Sequence, residues 1–138
     1  MALMADMQQI LRQFVADTPG VEGAATVSSD GLVLASVLPA GSDEDHVSAM
    51  GAALLTLGER SIRELRLGAI EQVLVRGNGG YFVIVRVDEE VMLEAITGPE
   101  AKLGMVLLGM KRTVEDLTRQ PAMPRAVASP IDRARMVR

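Results

Sequence analysis

Few residues of this chain could do chemistry, and their spacing is not that of a catalytic site. The 138 residues include one histidine, His46, and no cysteine, which excludes thiolate nucleophiles, disulfides and cysteine-based zinc sites. No second histidine and no clustered carboxylate stands at metal-ligand spacing from His46, so we interpret it as a solvated residue at a helix start. A Ser-His-Asp site would need a serine partnered with this histidine, and no serine holds such a position.

Two short motifs resemble ion-binding loops but lack the residues that such loops need. Asp43, Glu44 and Asp45 form an acidic triplet without the spaced oxygen ligands and glycine of a calcium loop, and a favourable interaction with the helix dipole explains them. The stretch "GNGG" leads into a strand and has no following Lys-Ser or Lys-Thr, so we interpret it as a turn. We therefore expect no catalytic residue, no metal site and no cofactor.

Two charged residues interrupt apolar, strand-like segments. Arg86 lies in "YFVIVRV" and Glu94 lies in "VMLEAIT". Because an unpaired buried charge is costly, we expect these side chains either to neutralise one another or to lie at a rim of the sheet.

Length and composition indicate one aliphatic domain. The chain is 49% hydrophobic with one tyrosine, two phenylalanines and no tryptophan, so its core must consist of aliphatic and methionine side chains. The N-terminus has no basic start, and no apolar run reaches the roughly 18 residues of a spanning helix. We expect a cytoplasmic protein without a membrane span.

Charge is unevenly distributed along the chain. The formal net charge is −4, but residues 121–138 carry four arginines against one aspartate, which leaves −7 for the remainder. An acidic body argues against a nucleic-acid partner. The three prolines and weak periodicity of this end predict a domain at 1–119 and a flexible basic tail at 120–138. The tail either has no role or contacts an acidic partner or a membrane surface.

Apolar periodicity predicts the elements of the first half of the chain. A first helix ends before Thr18 and presents one apolar face formed by Met4, Met7, Leu11 and Phe14. Two short strands then form a hairpin around Asp30-Gly31. A second helix follows, with Ser42 as a candidate N-cap.

The second half of the chain reads as three strands and a helix. The strand segments are "AIEQVLVR", "YFVIVRV" and "VMLEAIT", and Asn78-Gly79 predicts a hairpin between the first two. A last helix presents an apolar face formed by Leu103, Leu107, Met110, Val114 and Leu117. The order α-β-β-α-β-β-β-α predicts an α+β fold with a five-stranded antiparallel sheet and helices on both faces.

The second helix contains two glycines, although each costs about 1 kcal/mol relative to alanine. On a helical wheel the leucine arc consists of Val47, Met50, Leu54, Leu57 and Leu65, and the adjoining glycine arc consists of Gly51, Leu55, Gly58 and Ile62. The two arcs together are too wide for one sheet contact. The glycines either relieve crowding against the chain's own sheet or let another helix approach. We favour a symmetric dimer in which the glycine arc meets its copy.

The opposite side of this helix, which we call the outward face, carries short side chains and two arginines. Its residues are Ala49, Ala53, Thr56, Arg60 and Arg63. A solvated face usually carries more glutamate and lysine, so these residues form either a docking platform for a partner or a plain exposed face with two incidental arginines.

Taken together, these segments resemble the Roadblock family. The similarity rests on "TPGVEGAATVSSDGLVLAS", the Ala-, Gly- and Leu-rich helix, "VLVRGNGGYFVIVRVDEEVMLEAIT" and "AKLGMVLLGMKRTVEDL", and covers about residues 4–118. The family includes the dynein light chains of that name and the bacterial MglB-type partners of Ras-like GTPases. The resemblance implies that the second helix covers one face of the sheet and the other two helices cover the opposite face. It also implies dimerisation through the second helix and the next strand, which assigns Val73 and Val75 to a shared sheet edge.

The resemblance also implies a function. We expect a non-enzymatic dimeric regulator or scaffold that binds a Ras-like small GTPase in the manner of MglB, with modulation of GTP hydrolysis as one form of that role. The alternative is a structural adaptor that joins a motor or signalling complex without touching a GTPase. A small-molecule sensor is less favoured because nothing polar converges on an apolar pocket.

Overall fold

The computed structural model of the chain describes residues 2–119. Within them lie three helices and five strands: α1 (Ala2–Asp17), β1 (Val21–Ser28), β2 (Val33–Val37), α2 (Glu44–Glu64), β3 (Val73–Gly77), β4 (Gly80–Arg86), β5 (Val91–Thr97) and α3 (Leu103–Thr118). The predicted order of elements is confirmed. The tail expected at 120–138 lies outside the described residues, so its flexibility stays a prediction.

The strands form one antiparallel sheet in the order β2-β1-β5-β4-β3. The first hairpin turns at Gly31, whose φ of 87° favours glycine. The second hairpin pairs Gly77 with Gly80 across Asn78-Gly79, as the sequence predicts. The segment 69–72 is not part of a strand, so β3 is shorter than expected. This topology leaves β2 and β3 as the two edges of the sheet.

Helices cover both faces of the sheet. On one face, α1 and α3 enclose the larger core, which contains the predicted positions Met7, Leu11, Phe14, Met110 and Leu117. Val106 and Thr113 of α3 are buried beside them, although the sequence pattern did not include them. On the other face, α2 packs on a smaller cluster formed by Ala25, Val27, Ala52, Leu55, Ile84 and Met92. The layer arrangement implied by the resemblance is confirmed.

The start of α2 differs from the prediction by one residue. Asp43 is the N-cap, and its Oδ1 accepts a hydrogen bond of 3.1 Å from the backbone N–H of His46. Ser42 instead donates its hydroxyl to the carbonyl of Pro39 at 2.6 Å. Because the serine hydroxyl serves the preceding turn, the aspartate takes over the cap. No helix within residues 2–119 combines the length and the apolar character needed to cross a membrane.

Candidate interaction surface

The chemistry-bearing residues near the start of α2 serve the helix itself. His46 is exposed and its backbone is capped by Asp43, while the neighbouring Ser48 is buried and donates to the backbone carbonyl of Glu44. In the part of the chain that the structure describes, no three His, Cys, Asp or Glu side chains lie close enough to hold a metal ion. These contacts fit the interpretation of the acidic triplet as a helix start.

The glycines of α2 face the chain's own sheet. A Cβ atom added to Gly51 would lie 1.9 Å from Oε2 of Glu94, and one added to Gly58 would lie 2.9 Å from Cγ2 of Val73. Leu55, on the same arc, is fully buried in the cluster under α2. The assignment of Gly51, Leu55 and Gly58 to a dimer contact is therefore wrong, because the sheet already occupies the space in front of them.

Glu94 is the polar residue that the glycine arc accommodates. Its side chain is 1% exposed, and neither carboxylate oxygen has a hydrogen-bond partner within residues 2–119. Burial raises the pKa of Glu94 from 4.5 to about 8, so the group binds its proton through neutral pH. A neutral carboxyl group is the form that such a site tolerates.

Arg86 does not neutralise Glu94, so the first of the two alternatives expected for these residues is wrong. In the register of β4 and β5, Glu94 lies opposite Ile84, whereas Arg86 lies opposite Met92, two positions further along the strand. The guanidinium group instead forms a bidentate ion pair with Glu59 of α2, with Nε–Oε2 at 2.8 Å and Nη2–Oε1 at 3.0 Å. Its Nη1 donates to the turn between β4 and β5.

Three of the five residues of the leucine arc are exposed, whereas Val47 and Leu54 are partly buried and Leu54 packs against the smaller core cluster. Leu57 and Leu65 are 60% and 66% exposed, and Met50 is also open to solvent.

On the adjacent edge strand, Leu74 and Val75 are exposed as well. Val75 points to the α2 face of the sheet, as Val73 does, whereas Leu74 is paired with Val83 and points to the opposite face. We call Met50, Leu57, Leu65 and Val75 the apolar edge surface. The glycine arc, which we expected to meet another copy, thus faces the chain's own sheet, and much of the leucine arc faces solvent.

Contacts on either side of α2 fix the direction in which this surface points. Gly58 borders the leucine arc and faces Val73 of β3, so the leucine arc lies on the side of the helix nearer to β3. On the other side, Ala49 and Ala52 lie near Gly31 in the turn between β1 and β2. The exposed leucines therefore lie beside the edge strand β3, and helix and strand present apolar side chains in the same region.

The remaining predicted interface residues divide between core and surface. Val73 is partly buried under α2 and packs with the smaller core cluster, whereas Val75 remains exposed at the sheet edge. Ile62 is partly buried and lines a cleft at the C-terminal end of α2. Val75 alone among these three therefore belongs to the apolar edge surface.

All five residues of the outward face are exposed. Arg60 forms an ion pair with Glu64 at 2.6 Å, in which both side chains remain more than half exposed. Arg63 lies at the same cleft as Ile62, together with Arg66, and neither arginine has an ion pair within residues 2–119. The outward face thus offers one guanidinium group already paired and one available for a carboxylate.

Comparison with known proteins decides the family. The Roadblock/LC7 domain family matches residues 7–97, which span α1 to the end of β5. The chain belongs to the Roadblock/LC7 family. A relative, the uncharacterized protein MJ1340 of Methanocaldococcus jannaschii, is 34% identical over 100 residues, which are 72% of this chain and 87% of the relative.

Solved Roadblock/LC7-like structures share the fold. The gliding protein MglB from Thermus thermophilus has a TM-score of 0.76 at 20% identity, over 86% of this chain and 90% of that chain. A structure described as MglB with tetrameric arrangement has a TM-score of 0.79 at 20% identity, with the same coverage. The Roadblock resemblance read from the sequence, and the fold that it implied, are confirmed.

Proposed function

We propose that this Roadblock/LC7 protein is a homodimer that binds a Ras-like small GTPase as a regulator or scaffold, without enzymatic activity of its own. The observation that carries the proposal is the apolar edge surface, in which exposed leucines of α2 lie beside the open edge of β3. Large exposed apolar patches typically mark protein contacts. We expect the protein in the cytoplasm, where small GTPases act.

The dimer would form around a two-fold axis that passes beside β3, perpendicular to the sheet. Two antiparallel copies of β3 can pair their outward backbone groups and so join the two sheets into one. The same axis would bring the leucine arc of each α2 against its copy, because helix and edge strand lie on the same side of the domain. Burying one exposed leucine contributes about 1.5–3 kcal/mol. In an isologous contact both copies bury the same leucine, so its contribution counts once for each chain.

The outward face is the proposed docking surface for the GTPase. Its short side chains at Ala49, Ala53 and Thr56 keep the helix accessible to a flat partner. Arg63 has no ion pair within residues 2–119 and can donate to a carboxylate of the partner, whereas Arg60 would first have to leave Glu64. Because the outward face and the apolar edge surface lie on different sides of α2, dimerisation leaves the docking surface open.

A binding assay with a matched control tests this function. A purified Ras-like GTPase from the same genome, loaded with either GDP or a non-hydrolysable GTP analogue, would be titrated with the wild-type protein. We expect binding that depends on the nucleotide, weakened at least about tenfold by Arg63→Glu. The control, Arg112→Glu, changes an exposed arginine of α3 on the opposite face of the sheet and should leave affinity unchanged.

The same assay separates the regulator from the structural adaptor. A regulator binds the two nucleotide states unequally, because it can shift a conformational equilibrium only through a difference in affinity. Absence of GTPase binding in both states, with the dimer intact, would contradict the GTPase proposal and favour the adaptor.

A further inference from the structure

The side chain of Gln8 occupies the free edge of β2. Its Nε2 donates to the backbone carbonyl of Ser36 at 2.6 Å, and its Oε1 accepts from the backbone N–H of Ser36 at 3.2 Å. One side-chain amide thus satisfies both the donor and the acceptor of a single edge residue. These are the two hydrogen bonds that a residue of a neighbouring strand would form there.

Neighbouring contacts hold Gln8 in this position. The adjacent Met7 of α1 is fully buried, and its Sδ accepts a hydrogen bond of 3.7 Å from Oγ1 of Thr26 in β1. On the strand side, the hydroxyl of Ser36 donates to Glu44 at the start of α2 at 2.6 Å. We call the Gln8 amide bound to Ser36 the edge cap. It joins a helix and a strand that other contacts already hold in place.

The opposite edge of the sheet has no such cap. Within residues 2–119, no hydrogen bond reaches the outer side of β3, whose alternate backbone groups point away from β4. Its exposed side chains at Leu74 and Val75 add apolar area to the open backbone. An open edge with apolar side chains is a template for pairing with another chain.

We propose that Gln8 determines which edge of the sheet can pair, and thereby stops edge-to-edge assembly at two chains. Were both edges open, β3 of one copy could pair with β2 of the next, and this heterologous contact leaves a new free edge at each step. With β2 closed, the available pairing joins β3 to β3, which uses up both open edges at once. This inference rests on the β3 pairing of the proposed function.

The test compares two adjacent glutamines of α1. In Gln8→Ala the cap is removed, whereas Gln9→Ala changes an exposed residue with no partner within residues 2–119. We expect light scattering to show masses above the dimer for Gln8→Ala, growing with concentration, and wild-type masses for Gln9→Ala. Hydrogen exchange of the Ser36 amide in dilute solution should be faster in Gln8→Ala only.

Two further variants keep the inference testable. Gln8→Glu preserves side-chain length, but its carboxylate cannot donate to the Ser36 carbonyl. Its mass should therefore also rise above the dimer with concentration, even if Gln8→Ala folds poorly. Adding Val75→Lys to Gln8→Ala should stop growth at two chains or fewer, because the heterologous contact needs β3.

The outcomes for Gln8 and for the dimer are distinguishable. A folded Gln8→Ala or Gln8→Glu protein that keeps the wild-type mass at all concentrations overturns the role of Gln8, whatever the state of the Ser36 amide. A monomeric wild-type protein instead overturns β3 pairing itself, and with it the inference.

Discussion

Gly51 of α2 lies directly opposite the buried carboxyl group of Glu94 in β5, and a Cβ atom at position 51 would come within 1.9 Å of Glu94 Oε2. The glycine therefore admits a carboxyl group into the interface between helix and sheet. This pairing explains why a long amphipathic helix retains a residue that costs it about 1 kcal/mol.

Gly51→Ala should destabilise the fold although it improves helix propensity. The added methyl group must displace Glu94 or α2, and overpacking of this kind costs about 1–3 kcal/mol. The free energy of unfolding, measured by urea denaturation, should fall in Gly51→Ala. In the control variant Gly104→Ala, where a Cβ atom meets nothing within 4 Å, the free energy of unfolding should stay constant or rise. A stabilised Gly51→Ala protein would contradict the contact with Glu94.

The cost of Gly51→Ala should depend on the residue at position 94. In a Glu94→Ala background the carboxyl group is gone, so adding the methyl group at position 51 should cost less than in the wild type. The difference between the two costs is the coupling energy of a double-mutant cycle. Equal costs in both backgrounds would show that Glu94 is not what the methyl group meets.

Glu94 should make the stability of the fold depend on pH. Burial raises the pKa of Glu94 in the folded state to about 8, whereas 4.5 is its unperturbed value. The folded state therefore holds a proton that the unfolded state has released, and stability should fall as pH rises from about 4.5 to about 8. Each pKa unit corresponds to about 1.4 kcal/mol, so the loss is of the order of several kcal/mol.

Glu94→Gln is the control for this dependence. The glutamine does not titrate, so its free energy of unfolding should lack the fall that the wild type shows over this pH range. The two proteins should therefore diverge as pH rises, with Glu94→Gln the more stable at alkaline pH. Parallel pH profiles for wild type and Glu94→Gln would show that Glu94 titrates normally.

The ion pair of Arg86 and Glu59 should contribute more to the stability of the fold than that of Arg60 and Glu64. The first is bidentate with side chains 24% and 30% exposed, whereas the second lies at 68% and 60% exposure. We expect Glu59→Gln to cost about 1 kcal/mol and Glu64→Gln less than about 0.5 kcal/mol. Thermal unfolding of the two variants at equal ionic strength measures the difference, and equal costs would contradict this ranking.

Much of the fold could be predicted because turns and apolar periodicity leave local signals. Asn78-Gly79 lies at the turn of the second hairpin, and Gly31, with a φ of 87°, lies at the turn of the first. The face of α1 and most of that of α3 follow from simple periodicity. These features depend on residues close together in the sequence.

The roles of the two arcs of α2 could not be read in the same way. A helical wheel shows that two apolar arcs exist, but not which one the sheet faces. Large side chains from the sheet, among them Met92, Glu94 and Ile84, fill the space under α2. The helix therefore presents the small residues Ser48, Gly51 and Ala52 to them beside Leu55, and leaves Leu57 and Leu65 outside. Small residues clustered on one arc were the signal available in the sequence.

The mass of the protein in solution tests the central claim, that the apolar edge surface is where two copies meet. Sedimentation equilibrium at micromolar concentration should give at least a dimer for the wild type and a monomer for Leu57→Glu, which buries a charge in the proposed contact. Leu108→Glu alters an exposed leucine of α3, on the other side of the sheet, and should keep the wild-type mass. A monomeric wild type, or a Leu57→Glu protein that sediments as the wild type does, would contradict the account.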